Sequence, residues 1–256
     1  MSFWRIGKWL EAEPDDRPPP HAGEDVRLYA IGDIHGRLDL LEQLLGLIAV
    51  DCLTRGPMKS RLILLGDLVD RGPASRQVVE RVMALVRQED ALCLKGNHEE
   101  LFLHAAYGDE RVIPTFRRAG GAQTLASYGL AQHRFEEMAD VEVAQWMLAN
   151  IPRAHVDFLD DLPDSQVIGD YLFVHAGIRP GVAIADQSAA DLRWIRREFL
   201  DHSRPHPKMV VHGHSITQDV DERSNRIGID TGAYFSGRLT AIGLEGSARW
   251  FLHTGD

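Results

Sequence analysis

The chain has 256 residues, 44% of them hydrophobic, which is enough for one large core and argues against a disordered or fibrous class. A formal net charge of −10 lacks the basic footprint that nucleic acid needs, so no nucleic acid partner is expected. Cys52 and Cys93 belong to no CxxC pair and read as buried thiols, which fits a reducing, cytoplasmic setting.

Residues 1–25 are expected to form an N-terminal arm with a proline-rich linker at 14–20. Phe3, Trp4, Ile6, Trp9 and Leu10 alternate with Arg5 and Lys8, without the unbroken apolar stretch of a signal peptide. Such an arm packs on the body or moves, with weak peripheral contact to a membrane as the alternative. No stretch is long and apolar enough to span a membrane.

One ordered domain is expected over 26–256. Residues 26–31 are a short β-type run ending in Gly32-Asp33. Over 38–50, Leu38, Leu41, Leu44, Leu45 and Ile48 recur at helical spacing. Residues 61–65 form a second apolar strand, again ending in Gly-Asp, and 75–88 read as a helix. Residues 91–94 are a third strand, leading into Lys95-Gly96-Asn97-His98. Three strand–loop–helix units in series predict an α/β fold with a largely parallel inner sheet and a site at the carboxyl ends of its strands.

From 99 to 162 the pattern turns helical, as a small cap or as part of the helical layer, with Phe116 and Trp146 read as core. The acidic residues 157–164 read as a solvated turn. After 167 the chain is β-rich again: 170–174 lead to His175-Ala176-Gly177 and 209–211 to His212-Gly213-His214, followed by strands at 227–230, 239–244 and 249–252.

Five loops carry the chemistry: Gly32-Asp33-Ile34-His35-Gly36, Gly66-Asp67-Leu68-Val69-Asp70-Arg71-Gly72, Gly96-Asn97-His98-Glu99, His175-Ala176-Gly177 and His212-Gly213-His214. Alone, each reads as turn chemistry. Five together, each just past an apolar strand, read as one site. A mixed oxygen and nitrogen donor set suits manganese, iron or zinc better than magnesium or calcium. The remaining histidines, such as His21, His104 and His133, read as structural or exposed.

In this order, GDxHG, GDxVDRG, GNHE, HAG and GH resemble the phosphoprotein phosphatase branch, bacterial type, of the calcineurin-like metallophosphoesterases. The resemblance implies two mixed β-sheets packed as a sandwich flanked by helices, with a helical cap-like insertion. It implies two divalent metal ions, manganese first, with iron or zinc as alternatives. Asp33 and His35 would bind the first ion, Asp67 would bridge, and Asn97, His175 and His214 would bind the second. His98 would be the general acid, oriented by Asp70. Arg71 would grip the phosphate, with Arg196 as the second phosphate arginine and Arg197 as its rival. His212 would have either an outer chemical role or a packing role. Two such ions neutralise a phosphate ester and supply a metal-bound hydroxide near neutral pH.

The activity so implied is that of a serine/threonine-type protein phosphatase acting on a phosphorylated protein or a small phosphoester. The enzymatic alternative is a diadenosine tetraphosphate hydrolase of the same superfamily, and the non-enzymatic one is a scaffold with an inactive metal site. In that hydrolase the second motif typically lacks the aspartate before its arginine, and the third typically ends in aspartate. Asp70 and Glu99 therefore set the expectation on the phosphatase.

Overall fold

The computed structural model describes residues 18–88 and 90–255, so the apolar and basic residues of the N-terminal arm lie outside the described residues. Strands β1 (Val26–Ile31), β2 (Lys59–Leu64) and β3 (Ala91–Cys93) pair in parallel, with helices α1 (Leu38–Arg55) and α2 (Ser75–Gln88) between them. A helical insertion follows: α3 (Asn97–Ala106), α4 (Ile113–Arg118), α5 (Gly121–Ser127), α6 (Gln132–Glu137), α7 (Asp140–Asn150) and α8 (Arg153–Asp160). Then come β4 (Ser165–Ile168), β5 (Tyr171–Val174), α9 (Ala189–Trp194), α10 (Arg197–Leu200) and β6 (Met209–His212). The chain ends with β7 (Asp221–Glu222), β8 (Arg226–Gly228), α11 (Ala233–Ser236), β9 (Thr240–Glu245) and β10 (Ala248–His253).

The strands form two five-stranded sheets, in the orders β10-β9-β1-β2-β3 and β4-β5-β6-β8-β7. Both are mixed. In the first, β9 and β10 run antiparallel to their neighbours. In the second, β5, β6 and β8 are parallel, and β4 and β7 are antiparallel edges.

Alternation along β1 explains the layering. Leu28 and Ala30 point into the space between the sheets, where they join Tyr171, Phe173, Val211 and Ile227. Tyr29 and Ile31 point the other way, into a core shared with Leu41, Val78 and Val82. Phe102, Phe116 and Leu125 of the insertion belong to that same core, so the insertion thickens the helical layer over the first sheet. A third core packs Leu172, Val174 and Val210 against Ile195 and Phe199.

The chain departs from the sequence pattern in three places. Helix α1 continues past residue 50 to Arg55, where Arg55 pairs with Asp51 and lies over the Trp250 ring. Val50 and Leu53 are exposed there and break the apolar periodicity. Cys52 is half-buried rather than buried, although both cysteines are free. Residues 157–160 are the last turn of α8, not a loop, because Leu159 is anchored in the core. Among the described residues, no helix is long and apolar enough to cross a membrane.

Candidate metal centre

Each motif loop leaves the carboxyl end of a parallel strand, and hydrogen bonds tie the loops together within and between the sheets. The His214 N–H donates to the Asp33 carboxylate at 3.1 Å, and the His98 N–H donates to Asp67 Oδ1 at 3.0 Å. The backbone here is unusual. His35, Asp67, Asp70, Arg71 and His214 all take left-handed φ angles, between +46° and +71°, in a region L-residues seldom occupy. Such conformations concentrate where the surroundings force side chains inward for function. The motif glycines permit the close approach. A Cβ on Gly96 would collide with the Asp67 carboxylate, and one on Gly213 with that of Asp33.

Asp67 is the centre of the arrangement. Its Oδ1 lies 3.4 Å from His175 Nε2, and its Oδ2 lies 3.5 Å from His35 Nε2 and 3.9 Å from His98 Nε2. The His35 Nδ1–H donates to the Val69 carbonyl at 2.8 Å, and the His175 Nδ1–H to the Leu65 carbonyl at 2.9 Å. A carbonyl only accepts, so both rings carry their hydrogen on Nδ1 and turn an Nε2 lone pair into the site. His175 Nε2 also lies 2.9 Å from Asn97 Oδ1 and 3.2 Å from His214 Nδ1. Acceptor thus faces acceptor, and His214 Nε2 is buried with no hydrogen-bond partner. The ligand atoms of His35, Asp67 and His98 lie within 4.8 Å of one another, as do those of Asp67, His175 and His214. This donor set fits divalent cations, and Asp67 is the residue common to both clusters that would hold them.

Charge tells the same story. Burial pulls His35 down to about 3 and His214 to about 2, and also lowers His175, which keeps the rings in the neutral form that ligates. Burial also raises Asp67, but its interactions with the His175, His98, His35 and His214 rings outweigh it and hold the group below the usual carboxylate range. Asp33 goes well above that range through burial and then the charges of Asp230 and Asp67. Asp230 is pushed up to about 6, chiefly by burial. Crowded buried carboxylates of this kind call for cations.

The motif residues are distributed unevenly between the two clusters. Asp33 falls outside the first cluster of ligand atoms and lies against Asp230, while His98 falls inside that cluster. The His98 Nδ1–H donates to Asp70 Oδ2 at 2.7 Å. Burial lowers the His98 ring, but Asp67 and Asp70 overcome it, so the net shift is upward. His212 belongs to neither cluster and packs its edge on Phe199 at 5.1 Å. Arg71 Nη1 donates to His35 Nε2 at 2.8 Å, and its backbone N–H donates to the Gly120 carbonyl of the helical insertion. Arg196, exposed at the start of α10, bears on His175 and His214 with its positive charge. Arg71→Ala is expected to cut kcat/KM about 10²-fold on an aryl phosphate, with KM raised and kcat lowered. Arg71→Lys should rescue only part, because the paired geometry is lost. Unchanged steady-state kinetics in the alanine variant would remove Arg71 from the site.

Four contributors carry no role in the motif reading. Asp230 follows β8, the sixth parallel strand end, and accepts from the Gly232 N–H at 3.0 Å. Ile229-Asp230-Thr231-Gly232 echoes the strand–Asp–Gly signal, but a strand drawn through 230 hides it. Thr124 of α5 is fully buried; its hydroxyl donates to Asp70 Oδ1 at 2.6 Å and accepts from the Asp70 N–H at 2.8 Å. Tyr234 lies 4.7 Å below the Arg71 guanidinium and 5.6 Å from His35. Glu99, fully buried, accepts from the N–H groups of Asp67, Leu68 and Gly96 at 2.8, 2.8 and 2.9 Å. Burial and then the Asp67 charge push its carboxyl up to about 7, against those donors. Glu99→Ala would leave three buried donors unpaired, at roughly 1–3 kcal/mol each. Thermal unfolding should register a loss of at least about 3 kcal/mol; an unaltered midpoint would show that water replaces the carboxylate.

A sequence profile described as calcineurin-like phosphoesterase matches residues 26–232. The asymmetrical bis(5'-nucleosyl)-tetraphosphatase PrpE of Anoxybacillus flavithermus is 29% identical over 230 residues, covering 83% of this chain and 88% of that protein. A symmetrical bis(5'-nucleosyl)-tetraphosphatase of Acidovorax sp. is 35% identical over 155 residues, but this covers 60% of the chain and 45% of the relative. Among solved structures, a proposed diadenosine tetraphosphatase superposes with a TM-score of 0.61 at 22% identity, covering 91% of this chain and all of that one. That likeness supports the fold. The curated relatives bear tetraphosphatase names rather than those of serine/threonine phosphatases. Profile, fold and clustered side chains agree that this chain belongs to the calcineurin-like phosphoesterase family of metal-dependent hydrolases.

Proposed function

We propose that the protein hydrolyses bis(5'-nucleosyl) tetraphosphates asymmetrically, to a nucleoside triphosphate and a nucleoside monophosphate. The observation that carries this is the likeness, over most of both chains, to a relative named as an asymmetrical tetraphosphatase. The symmetrical relative is matched over less than half its length and weighs less. Asp33, His35, Asp67, Asn97, His175 and His214 would hold two divalent ions, manganese for preference. When bound, the ions supply Lewis acidity and an activated water.

The chain's own residues do the rest. Arg71 reaches the site from the His35 side, and Arg196 lines a cleft with Trp194, whose ring lies 6.5 Å from that of His214, so an anionic chain laid across Asp67 would meet a guanidinium at each end. This local positive charge matters because the protein as a whole is acidic. Asp70, fixed by Thr124, sets the plane of the His98 ring, so that Nε2 would be the atom that passes a proton to the leaving group.

One observation favours a second reading. A carboxylate-oriented histidine such as His98 serves best where the leaving group is a poor one, as in a phosphoserine or another alkyl ester. The test is a parallel measurement of kcat/KM on diadenosine tetraphosphate, a phosphoserine peptide and a phosphotyrosine peptide. The tetraphosphate is expected to be the best of the three by an order of magnitude or more, and a chelator should abolish all three activities. Preference for a phosphopeptide would replace the tetraphosphatase reading with the second one.

A further inference from the structure

A bis-nucleoside substrate brings two aromatic bases, and the rim of the centre presents two exposed aromatic rings. Trp194 closes α9 with 39% of its surface exposed and lies 6.5 Å from the His214 ring. Its Nε1–H donates to Glu100 Oε2 at 2.7 Å, which fixes the plane of the indole. With Ile195 it lines a shallow cleft of about 600 Å³ bordered by Arg179, Arg196 and Arg197. Arg179 is engaged by Asp191 and Glu198, whereas Arg196 and Arg197 pair with no carboxylate among the described residues. A pinned indole beside two uncommitted guanidinium groups offers a nucleotide what it needs: a face for the base and charge for the phosphate.

The second ring is Phe235, 64% exposed on α11. It packs edge-on against Tyr234 at 5.1 Å, and Tyr234 supports Arg71 and touches His35. Ile216, 40% exposed, shares the crowded space over Gly232 with Phe235. His214 and His35 belong to different ligand clusters joined through Asp67, so the two rings stand beside different halves of the centre.

We infer that Trp194 and Phe235 are the two nucleobase platforms of the site, each stacking one base while Arg196 and Arg71 hold the phosphates between them. This rests on the tetraphosphatase reading above. The two platforms are unequal. Trp194 is pinned and bordered by guanidinium groups, whereas Phe235 is held on one edge, so the Trp194 side should bind its nucleoside more tightly.

The test is steady-state kinetics of the full-length, manganese-loaded protein on diadenosine tetraphosphate and on inorganic tripolyphosphate, which has no base. In Trp194→Ala and in Phe235→Ala, the ratio of kcat/KM for the dinucleotide to that for tripolyphosphate should fall about tenfold, mainly through KM. The loss should be larger for Trp194. Trp194→Phe and Phe235→Tyr, which keep a ring, should recover most of it. If the wild type cleaves the dinucleotide and neither alanine variant changes the ratio, the platforms are refuted and the functional reading stands. A wild type that cleaves tripolyphosphate but not the dinucleotide would refute the functional reading, and the platforms with it.

Discussion

Asp67→Asn is expected to strip both metal ions and to take hydrolysis of every substrate to background. The Asp67 oxygens face separate clusters, with His175 Nε2 3.4 Å from one and His35 Nε2 3.5 Å from the other. An amide keeps one acceptor but loses the negative charge and turns an N–H₂ toward a lone pair on one side. The fold should survive. Glu99 still holds the backbone N–H of residue 67, and an amide oxygen can still accept from the His98 N–H. Thermal unfolding of the metal-free proteins should therefore be similar, while metal analysis should fall from two ions per chain toward none. Asn97→Ala makes the contrast, because Asn97 Oδ1 lies 2.9 Å from His175 Nε2, and it should weaken one ion and spare the other. Two ions per chain and full activity in Asp67→Asn would sink the shared-ligand assignment.

Much of the architecture is written in local pattern. Residues 26–31 and 75–88 have the bounds their apolar spacing indicates, because each is a short, strongly patterned run closed by turn residues. Pattern fails where tertiary contacts decide. The last turn of α1 is exposed on several sides and is held by the Asp51–Arg55 pair and by Trp250, two hundred residues away in sequence. The site divides in the same way. Ligand-type residues were legible because each needs a glycine-flanked turn at a strand end, and that requirement leaves a motif. Thr124 leaves none. A buried threonine on a helix looks like any other until Asp70, fifty-four residues earlier, is seen to bond it twice.

Substrate class was the least legible feature, and Glu99 shows why. In the motif comparison it marks the phosphatase branch, yet its carboxylate accepts from three backbone N–H groups and is fully buried. It reports how the loops are braced, not what binds between them. Of the two proposed platforms, Trp194 lies in the segment that stands out only for its phosphate arginine and Phe235 in a segment with no motif, and only the fold brings them to the same rim.

His98→Asn should lower kcat about 10²–10⁴-fold on a phosphoserine peptide, whose alkoxide needs a proton as it leaves. The loss should be much smaller on an aryl phosphate or on diadenosine tetraphosphate. A departing nucleotide is a phosphate whose second pKa is about 6, so it needs little protonation. The geometry supports an acid. Asp70 accepts the Nδ1–H at 2.7 Å and leaves Nε2 facing the centre, 3.9 Å from Asp67 Oδ2. Asp70→Asn should show the same leaving-group dependence more weakly, since the ring is misoriented but present. The double variant should cost little beyond His98→Asn alone, because the pair acts as one unit. Metal analysis must accompany the kinetics, since His98 shares a cluster of ligand atoms with His35 and Asp67. Two ions retained, with a loss that grows as the leaving group worsens, is the expected result. Equal losses on all substrates with metal retained would speak against proton donation, and loss of an ion would make His98 a ligand in the place assigned to Asp33.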